Sequence, residues 1–205
     1  MSNLLRFFLV GVYKLVFIVL YGRVGLWRGM SRLVQKFEKK ADGLPRLSGL
    51  PALERVLQEC KYKADGIGQL FDTARHPLAS WKRKLDGQPI GDCEDFSFLA
   101  LCLLAGMPPQ RKPVNPLSCM SVFWMDGFKM TGHTVALFES NGRLGDISNW
   151  GLHVGPKKPN LYARIHDIAG KRRVIGVCQH GNGLTFLGSK TYKRFEGPNA
   201  TGFIK

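Results

Sequence analysis

Residues 93–105 form an apolar run that opens with acidic residues, and this run limits the folds available to the chain more than any other segment. Asp92, followed three residues later by Asp95, suits a helix N-cap with an acid in the first turn. The apolar residues that follow share one helical face, as 3.6-residue periodicity requires: Phe96, Leu99 and Leu103. The pattern predicts a buried helix with Cys93 at its first turn.

Downstream of this helix the periodicity changes to short segments rich in aromatic and β-branched residues, which is typical of strands. "HTVALFES" and "GRLGDISNW" meet at residues 140–142, Ser-Asn-Gly, which predicts a tight β-hairpin. "RRVIGVCQH" and "LTFLGS" predict a second hairpin across residues 180–183. The second half of the chain is therefore predicted to contain an antiparallel sheet.

Helical patterns occupy most of the rest of the chain. "PALERVLQEC" predicts a short helix that begins with a proline, and "PNLYARIHDIAG" predicts another. "LFDTARHPLASWKRK" is predicted to be helical on both sides of a break at Pro77. A helical half followed by a sheet places the chain in the α+β class.

The length and the cysteines bear on how the core is held together. A chain of 205 residues can bury a core without disulfides or metals, so we expect no cofactor and no metal. The cysteines are odd in number and widely spaced, which predicts free thiols in a reducing compartment: Cys60, Cys93, Cys102, Cys119 and Cys178.

The net charge of +15 is concentrated at the two ends of the chain. Residues 1–40 carry a net +7 and residues 156–205 a net +8, whereas residues 41–155 are neutral. Basic flanks suit an anionic partner. We predict no specific nucleic-acid recognition, because no basic helix shows base-reading spacing or interleaved stacking aromatics.

Residues 4–21 are apolar except for Arg6, Gly11 and Lys14. A lysine near the centre makes this segment marginal for crossing a bilayer, and it lacks the cleavage site of a signal peptide. Its basic residues share one sector of a helix that would run to about Lys40, which predicts an amphipathic helix at an anionic membrane or a virion partner. Localisation is therefore expected to be cytoplasmic or virion-associated, with membrane binding through this helix.

Glycines and prolines in residues 41–50 predict a linker. We therefore divide the chain into an N-terminal helix, residues 1–42, and a folded domain, residues 43–205.

Cys93 at a helix start is a candidate nucleophile, because free backbone N–H groups there favour a thiolate. The neighbouring acids oppose this effect, so an imidazole partner is needed. His133 follows Thr-Gly at the start of an apolar strand, and Asp146 lies on the next strand. A cysteine, a histidine and an aspartate are the nucleophile, base and orienting residue that acyl transfer uses.

These segments carry a resemblance to a known family. "GDCEDFSFLALCLLAGMPP", "GHTVALFES" and "GRLGDISNWG" resemble the core motifs of the transglutaminase-like cysteine peptidase superfamily, particularly its small bacterial and phage members. "YKADGIGQLFDTARHP" is also similar to the segment that precedes the cysteine in phage-type members. The resemblance covers roughly residues 60–152. It implies a papain/transglutaminase-like core with Cys93 as nucleophile, His133 as base and Asp146 as orienting residue.

Some positions remain open beside this assignment. Asn149 competes with Asp146 as the orienting residue, and Asp146 is preferred. Gln88 and Trp81 are candidates for the oxyanion hole, although the backbone N–H of Cys93 suits that role better.

The expected function is a thiol-dependent amide hydrolase or peptidase encoded by a phage or a bacterium, acting on a peptide or protein amide. Hydrolysis is favoured over cross-linking, since no segment indicates a site for an amine acceptor. The alternative is a virion or membrane-associated structural protein that uses a peptidase-like fold as a scaffold.

Overall fold

The computed structural model describes residues 3–21, 43–63, 74–107, 114–155, 161–170, 172–181 and 186–191. Its helices are α1 (Asn3–Tyr21), α2 (Leu50–Gln58), α3 (Pro77–Lys82), α4 (Cys93–Ala105) and α5 (Leu161–Ile168). Its strands are β1 (Lys61–Tyr62), β2 (Lys84–Leu85), β3 (Gln88–Gly91), β4 (Val114–Asp126), β5 (Lys129–Ser140), β6 (Arg143–Ser148), β7 (Gly151–Val154), β8 (Val174–His180) and β9 (Phe186–Thr191).

Six of these strands form one antiparallel sheet in the order β7-β6-β5-β4-β8-β9. The short strands β1, β3 and β2 form a second, small sheet. The first four helices precede the large sheet in the chain, and α5 lies between β7 and β8. Helices combined with an antiparallel sheet agree with the predicted α+β class.

Both predicted hairpins are present as strand pairs. β5 pairs with β6 across Asn141 and Gly142, which have φ values of 51° and 68°. Two consecutive positive φ values are the conformation of a type I′ turn, which Asn-Gly adopts readily. β8 pairs with β9 as predicted, and the connecting residues 182–185 lie outside the described residues.

The predicted cap of α4 is also confirmed. Asp92 is the N-cap, and its Oδ1 accepts a hydrogen bond of 3.2 Å from the backbone N–H of Asp95. The Asp95 side chain then pairs with Arg75, whose backbone N–H donates to Oδ1 at 2.8 Å. Gly91 has no room for a side chain, since a Cβ there would lie 2.7 Å from Asp95. The glycine before Asp92 thus lets the chain turn tightly into the helix.

The large sheet has two buried faces because side chains alternate along each strand. We call the face that packs against α4 the first face; its core includes Phe96, Leu99, Phe123, Phe138 and Ile147. The second face packs against α5; its core includes Met120, Val122, Val135, Leu137 and Ile165.

Helix α1 packs against β8 and β9. Phe17 is 1% exposed and lies edge-to-face with Phe123, with ring centroids 5.5 Å apart. Its ring fills the space above Gly176, where a Cβ would approach it to 2.6 Å. The predicted continuation of this helix to about residue 40, and the boundary at residue 42, lie outside the described residues.

The remaining helix predictions agree with the structure in most respects. α2 and α5 lie where they were predicted. Pro77 opens α3, but the described residues before it, 74–76, are not helical. The side chain of His76 caps α3, which explains why the helix begins at the proline. Within the described part of the chain, the helices are too short or too polar to cross a membrane.

Candidate active site

Cys93 is the first residue of α4 and is 7% exposed. Its thiol donates a hydrogen bond of 3.0 Å to Oε2 of Glu94, and its sulfur also interacts with the backbone N–H of Thr134 on β5. Ser97 on α4 joins the helix to Thr134 on β5, because the Ser97 hydroxyl donates a hydrogen bond of 2.7 Å to the Thr134 carbonyl. Cys93 is therefore held between the start of α4 and β5.

At Thr134, β5 is paired with β4 on one side but no longer with β6 on the other. The pairing of β5 with β6 begins at Ala136, opposite Ile147. The N–H and C=O of one residue in an antiparallel strand point to the same side. At Thr134 these groups meet Cys93 and Ser97 instead of β6. The first turns of α4 thus cover the free edge of β5.

The thiol of Cys93 is protonated in this setting. Burial, together with the negative charge of Glu94 and its hydrogen bond, raises the pKa of Cys93 well above its usual value. The neighbouring acids oppose a thiolate, as the sequence predicted, and desolvation together with the adjacent carboxylate outweighs the helix end and the Thr134 N–H. Any attack by this sulfur must begin from the thiol.

Glu94 is the centre of a buried polar cluster on the first face. It is 5% exposed, and its Oε1 accepts a hydrogen bond of 3.2 Å from the hydroxyl of Thr134. That hydroxyl lies 2.7 Å from the hydroxyl of Ser121 on β4. Burial, and then the charge of Asp92, raise the pKa of the Glu94 carboxyl to about 7. In the sequence, this residue stands out only as one of the acids beside Cys93 that oppose a thiolate.

His133 lies on β5 next to Thr134, at the same free edge. Its Nε2 is 3.0 Å from the hydroxyl of Ser148, and its ring stacks on Trp150 with centroids 3.5 Å apart and planes 6° apart. The backbone N–H of Trp150 donates to the same Ser148 oxygen at 3.1 Å. Burial, and then the positive charge of Arg164, lower the pKa of His133 to about 3, so the imidazole is neutral near pH 7.

Strand alternation sets the relation of His133 to Cys93. Thr134 faces α4, so its neighbour His133 faces the side of α5, as does its cross-strand partner Val122. Cys93 and His133 therefore approach the free edge of β5 from the two faces of the sheet. The hydrogen bonds of their side chains go to Glu94 and to Ser148, and not to each other.

The carboxylate of Asp146 bonds Arg164 and not His133. It pairs across the strands with Leu137, four residues beyond His133, and its carboxylate makes two hydrogen bonds with Arg164, of 2.6 and 2.8 Å. His153 Nδ1 lies 3.3 Å from the same carboxylate without hydrogen-bond geometry. The residue that orients His133 is instead Ser148, two residues further along β6 on the same face.

The weaker candidates lie apart from these contacts. The Oδ1 atom of Asn149 is buried with no hydrogen-bond partner. Gln88 is half-buried on β3, opposite Leu85. Trp81 packs on the core beside α4, and Lys84 lies 5.4 Å from its ring centroid. None of these contacts involves Cys93 or His133.

Three residues of the site were missed by sequence reasoning: Glu94, Ser148 and Trp150. Each lies within a quoted motif, and the alternation of Asp146 and Ser148 along one face of β6 was the available signal for Ser148. Trp150 lies in the turn that follows β6.

Comparison with known proteins does not place the chain in a family: no family model and no curated protein matches its sequence.

Proposed function

We propose that this protein is a thiol-dependent amide hydrolase that acts by acyl transfer through Cys93, on a fold of the papain/transglutaminase-like type. One observation carries the proposal: the first turn of α4 brings Cys93 to the backbone N–H of Thr134, the residue next to an oriented imidazole. A buried thiol at a helix start that presents backbone N–H groups is an arrangement that acyl transfer uses, and the imidazole lies one residue from the point where the thiol meets β5.

In the proposed reaction the Cys93 sulfur attacks the carbonyl carbon of an amide, and the amine leaves to give a thioester. The backbone N–H groups at the start of α4 are donors for the oxyanion that forms on the carbonyl oxygen. Water then attacks the thioester and releases the acid. The products are those of hydrolysis, and this outcome is favoured because no described contact suggests a second site for an amine.

His133 is the imidazole of this mechanism. Its Nε2–H donates to Ser148 in the tautomer that leaves Nδ1 available to accept a proton. Trp150 covers the ring from the solvent side, since the indole is 61% exposed while the imidazole is buried. Asp146 does not contact the imidazole, but it holds Arg164, whose charge adds to the larger effect of burial in lowering the pKa of His133.

A thiol-directed probe tests the proposal. Iodoacetamide labelling, mapped to individual cysteines by mass spectrometry, is expected to favour Cys93 over the four other cysteines. His133→Ala is expected to keep this preference, because the imidazole bonds Ser148 and faces the other side of the sheet, and to slow the release of an acyl group from Cys93. His153→Ala is the matched control and should change neither, because its side chain is 42% exposed and its Nδ1 makes no hydrogen bond. Equal labelling of all five cysteines would contradict the proposal.

The second candidate function, binding to an anionic membrane surface, rests on the outer face of α1. One side of this helix packs on the sheet through Val10 and Phe17, whereas the opposite side is exposed and apolar: Leu5, Phe7, Phe8, Leu15 and Ile18. Contiguous apolar surface of this kind is typical of association sites. The net +7 of residues 1–40 suits phosphate head groups.

Co-sedimentation with vesicles tests this second candidate. The wild type is expected to bind vesicles rich in anionic lipid, and Phe7→Ser with Phe8→Ser should weaken binding without unfolding the protein. Equal binding of wild type and variant would assign no membrane role to this face. A loss of self-association in the variant, with no vesicle binding by either protein, would assign the face to assembly.

A further inference from the structure

Glu94 is a buried carboxyl group whose described contacts include no positively charged side chain. Of the other buried acids, Asp95 pairs with Arg75, Asp146 pairs with Arg164, and Asp92 caps α4. Glu94 makes no ion pair within the described ranges of the chain. A buried, unpaired carboxylate costs free energy, so its contacts point to a role beyond packing.

The contacts of Glu94 are directed at the reacting sulfur. Oε2 accepts the hydrogen bond of Cys93 at 3.0 Å, while Oε1 is held by the Thr134 hydroxyl at 3.2 Å. Ser121 supports Thr134 in turn, at 2.7 Å between the two hydroxyl oxygens. A general base must lie within about 2.6 to 3.2 Å of the atom whose proton it removes. Glu94 meets this condition for Cys93, and the hydrogen bond of the imidazole goes to Ser148 instead.

We propose that Glu94 is the general base of the acylation step, an inference that rests on the proposed function. As the sulfur forms its bond to the carbonyl carbon, the thiol proton moves to Oε2 and the carboxylate becomes a carboxylic acid. When the tetrahedral intermediate breaks its C–N bond, Glu94 returns that proton to the leaving nitrogen and becomes a carboxylate again. His133 then serves the attack of water on the thioester.

The charges around Glu94 are consistent with this role. On its own helix it neighbours Cys93, Asp92 and Asp95, and the charge of Asp95 is compensated by Arg75. From the sheet it faces Cys119 on β4 and Cys178 on β8, whose thiols are both neutral because burial raises their pKa values. The ionised Glu94 keeps Cys93 protonated at rest, and it accepts the proton only when bond formation removes negative charge from the sulfur.

The pH dependence of Cys93 alkylation by iodoacetamide tests this inference. The wild-type rate, mapped to Cys93 by mass spectrometry, is expected to rise through an inflection near the Glu94 pKa of about 7. Glu94→Gln keeps the side-chain shape but cannot accept a proton, so it should lower the rate near neutral pH by about 100-fold or more and remove the inflection. Glu139→Gln, an exposed glutamate on β5, is the matched control and should change neither.

A second variant separates catalysis from packing. Thr134→Val removes the donor to Oε1 but keeps the base, so the inflection is expected to move to higher pH. Glu94→Gln that reacts as fast as the wild type, or faster, would overturn the inference and make Glu94 a suppressor of thiolate formation. An unmoved inflection in Thr134→Val would assign it to another group. If the wild type shows no preference for Cys93, the proposed function itself fails.

Discussion

Replacing Phe17 by alanine tests whether α1 is part of the folded unit or an appended arm. Phe17 is almost fully buried, between the ring of Phe123 and the bare backbone of Gly176. Phe→Ala in a core costs about 3 to 5 kcal/mol, because the transfer free energy of the ring is lost and a cavity remains. Gly176 has no side chain to refill that cavity, and the edge-to-face pair adds about 1 kcal/mol. We therefore expect a loss of about 4 kcal/mol in the free energy of unfolding.

The matched control is Phe8→Ala on the same helix. Phe8 is 64% exposed, so its replacement should change the free energy of unfolding by no more than about 0.5 kcal/mol. Alanine favours helix over phenylalanine at both positions by a similar amount, so the difference between the two variants isolates the packing of Phe17.

Urea denaturation followed by far-ultraviolet circular dichroism measures both variants. With an unchanged m-value, Phe17→Ala should unfold at a clearly lower urea concentration than Phe8→Ala. If the free energies of unfolding of the two variants differ by less than about 1 kcal/mol, Phe17 is not part of the shared core, because removing a buried phenylalanine from a core costs more than this. In that case α1 is an arm that contributes little to the stability of the domain.

Three further perturbations have defined outcomes. Because burial lowers the pKa of His133 from 6.5 to about 3, the unfolded chain binds its proton first as the pH falls. The stability that this histidine contributes is present above pH 6.5 and is lost toward pH 3, by about 1.4 kcal/mol per pH unit, and His133→Gln should flatten that slope in pH-dependent urea denaturation. Arg164→Met leaves the buried carboxylate of Asp146 without its partner, so thermal unfolding should show a loss of about 3 to 5 kcal/mol, which Asp146→Asn in the same chain should partly restore. Gly145→Ala would place a Cβ 2.3 Å from the Phe138 ring, so it should destabilise by about 1 to 3 kcal/mol, whereas Gly127→Ala, in an open turn, should cost only the strain of its positive φ.

The parts of the fold that depend on residues close together in the sequence could be predicted from it. The Asp92 cap, the apolar face of α4 and the Asn141-Gly142 turn are each specified by a few neighbouring residues, and each is present in the structure. Short segments rich in aromatic and β-branched residues predicted the strands, because such side chains pack well on a pleated sheet.

The contacts of the site were harder to predict because they depend on register between distant segments. The sequence interval between His133 and Asp146 suggested a cross-strand pair, but β6 leaves β5 at Ala136, so Ser148 and not Asp146 reaches the imidazole. The sequence also did not indicate the direction of the Glu94 side chain. In the sequence Glu94 is one of several acids in the first helical turn, whereas in the structure the packing of α4 on β5 brings its carboxyl group against Cys93 and Thr134.

Direct detection of an acyl-enzyme tests the central proposal, acyl transfer through Cys93, most closely. The full chain is mixed with p-nitrophenyl acetate, the release of nitrophenolate is followed, and the acylated residue is mapped by mass spectrometry after acid quenching. We expect a stoichiometric burst and a hydroxylamine-sensitive acetyl group on Cys93, both absent in Cys93→Ala and retained in Cys119→Ala. Acetyl groups spread over lysines and the other cysteines, with the same nitrophenolate release from Cys93→Ala, would contradict it.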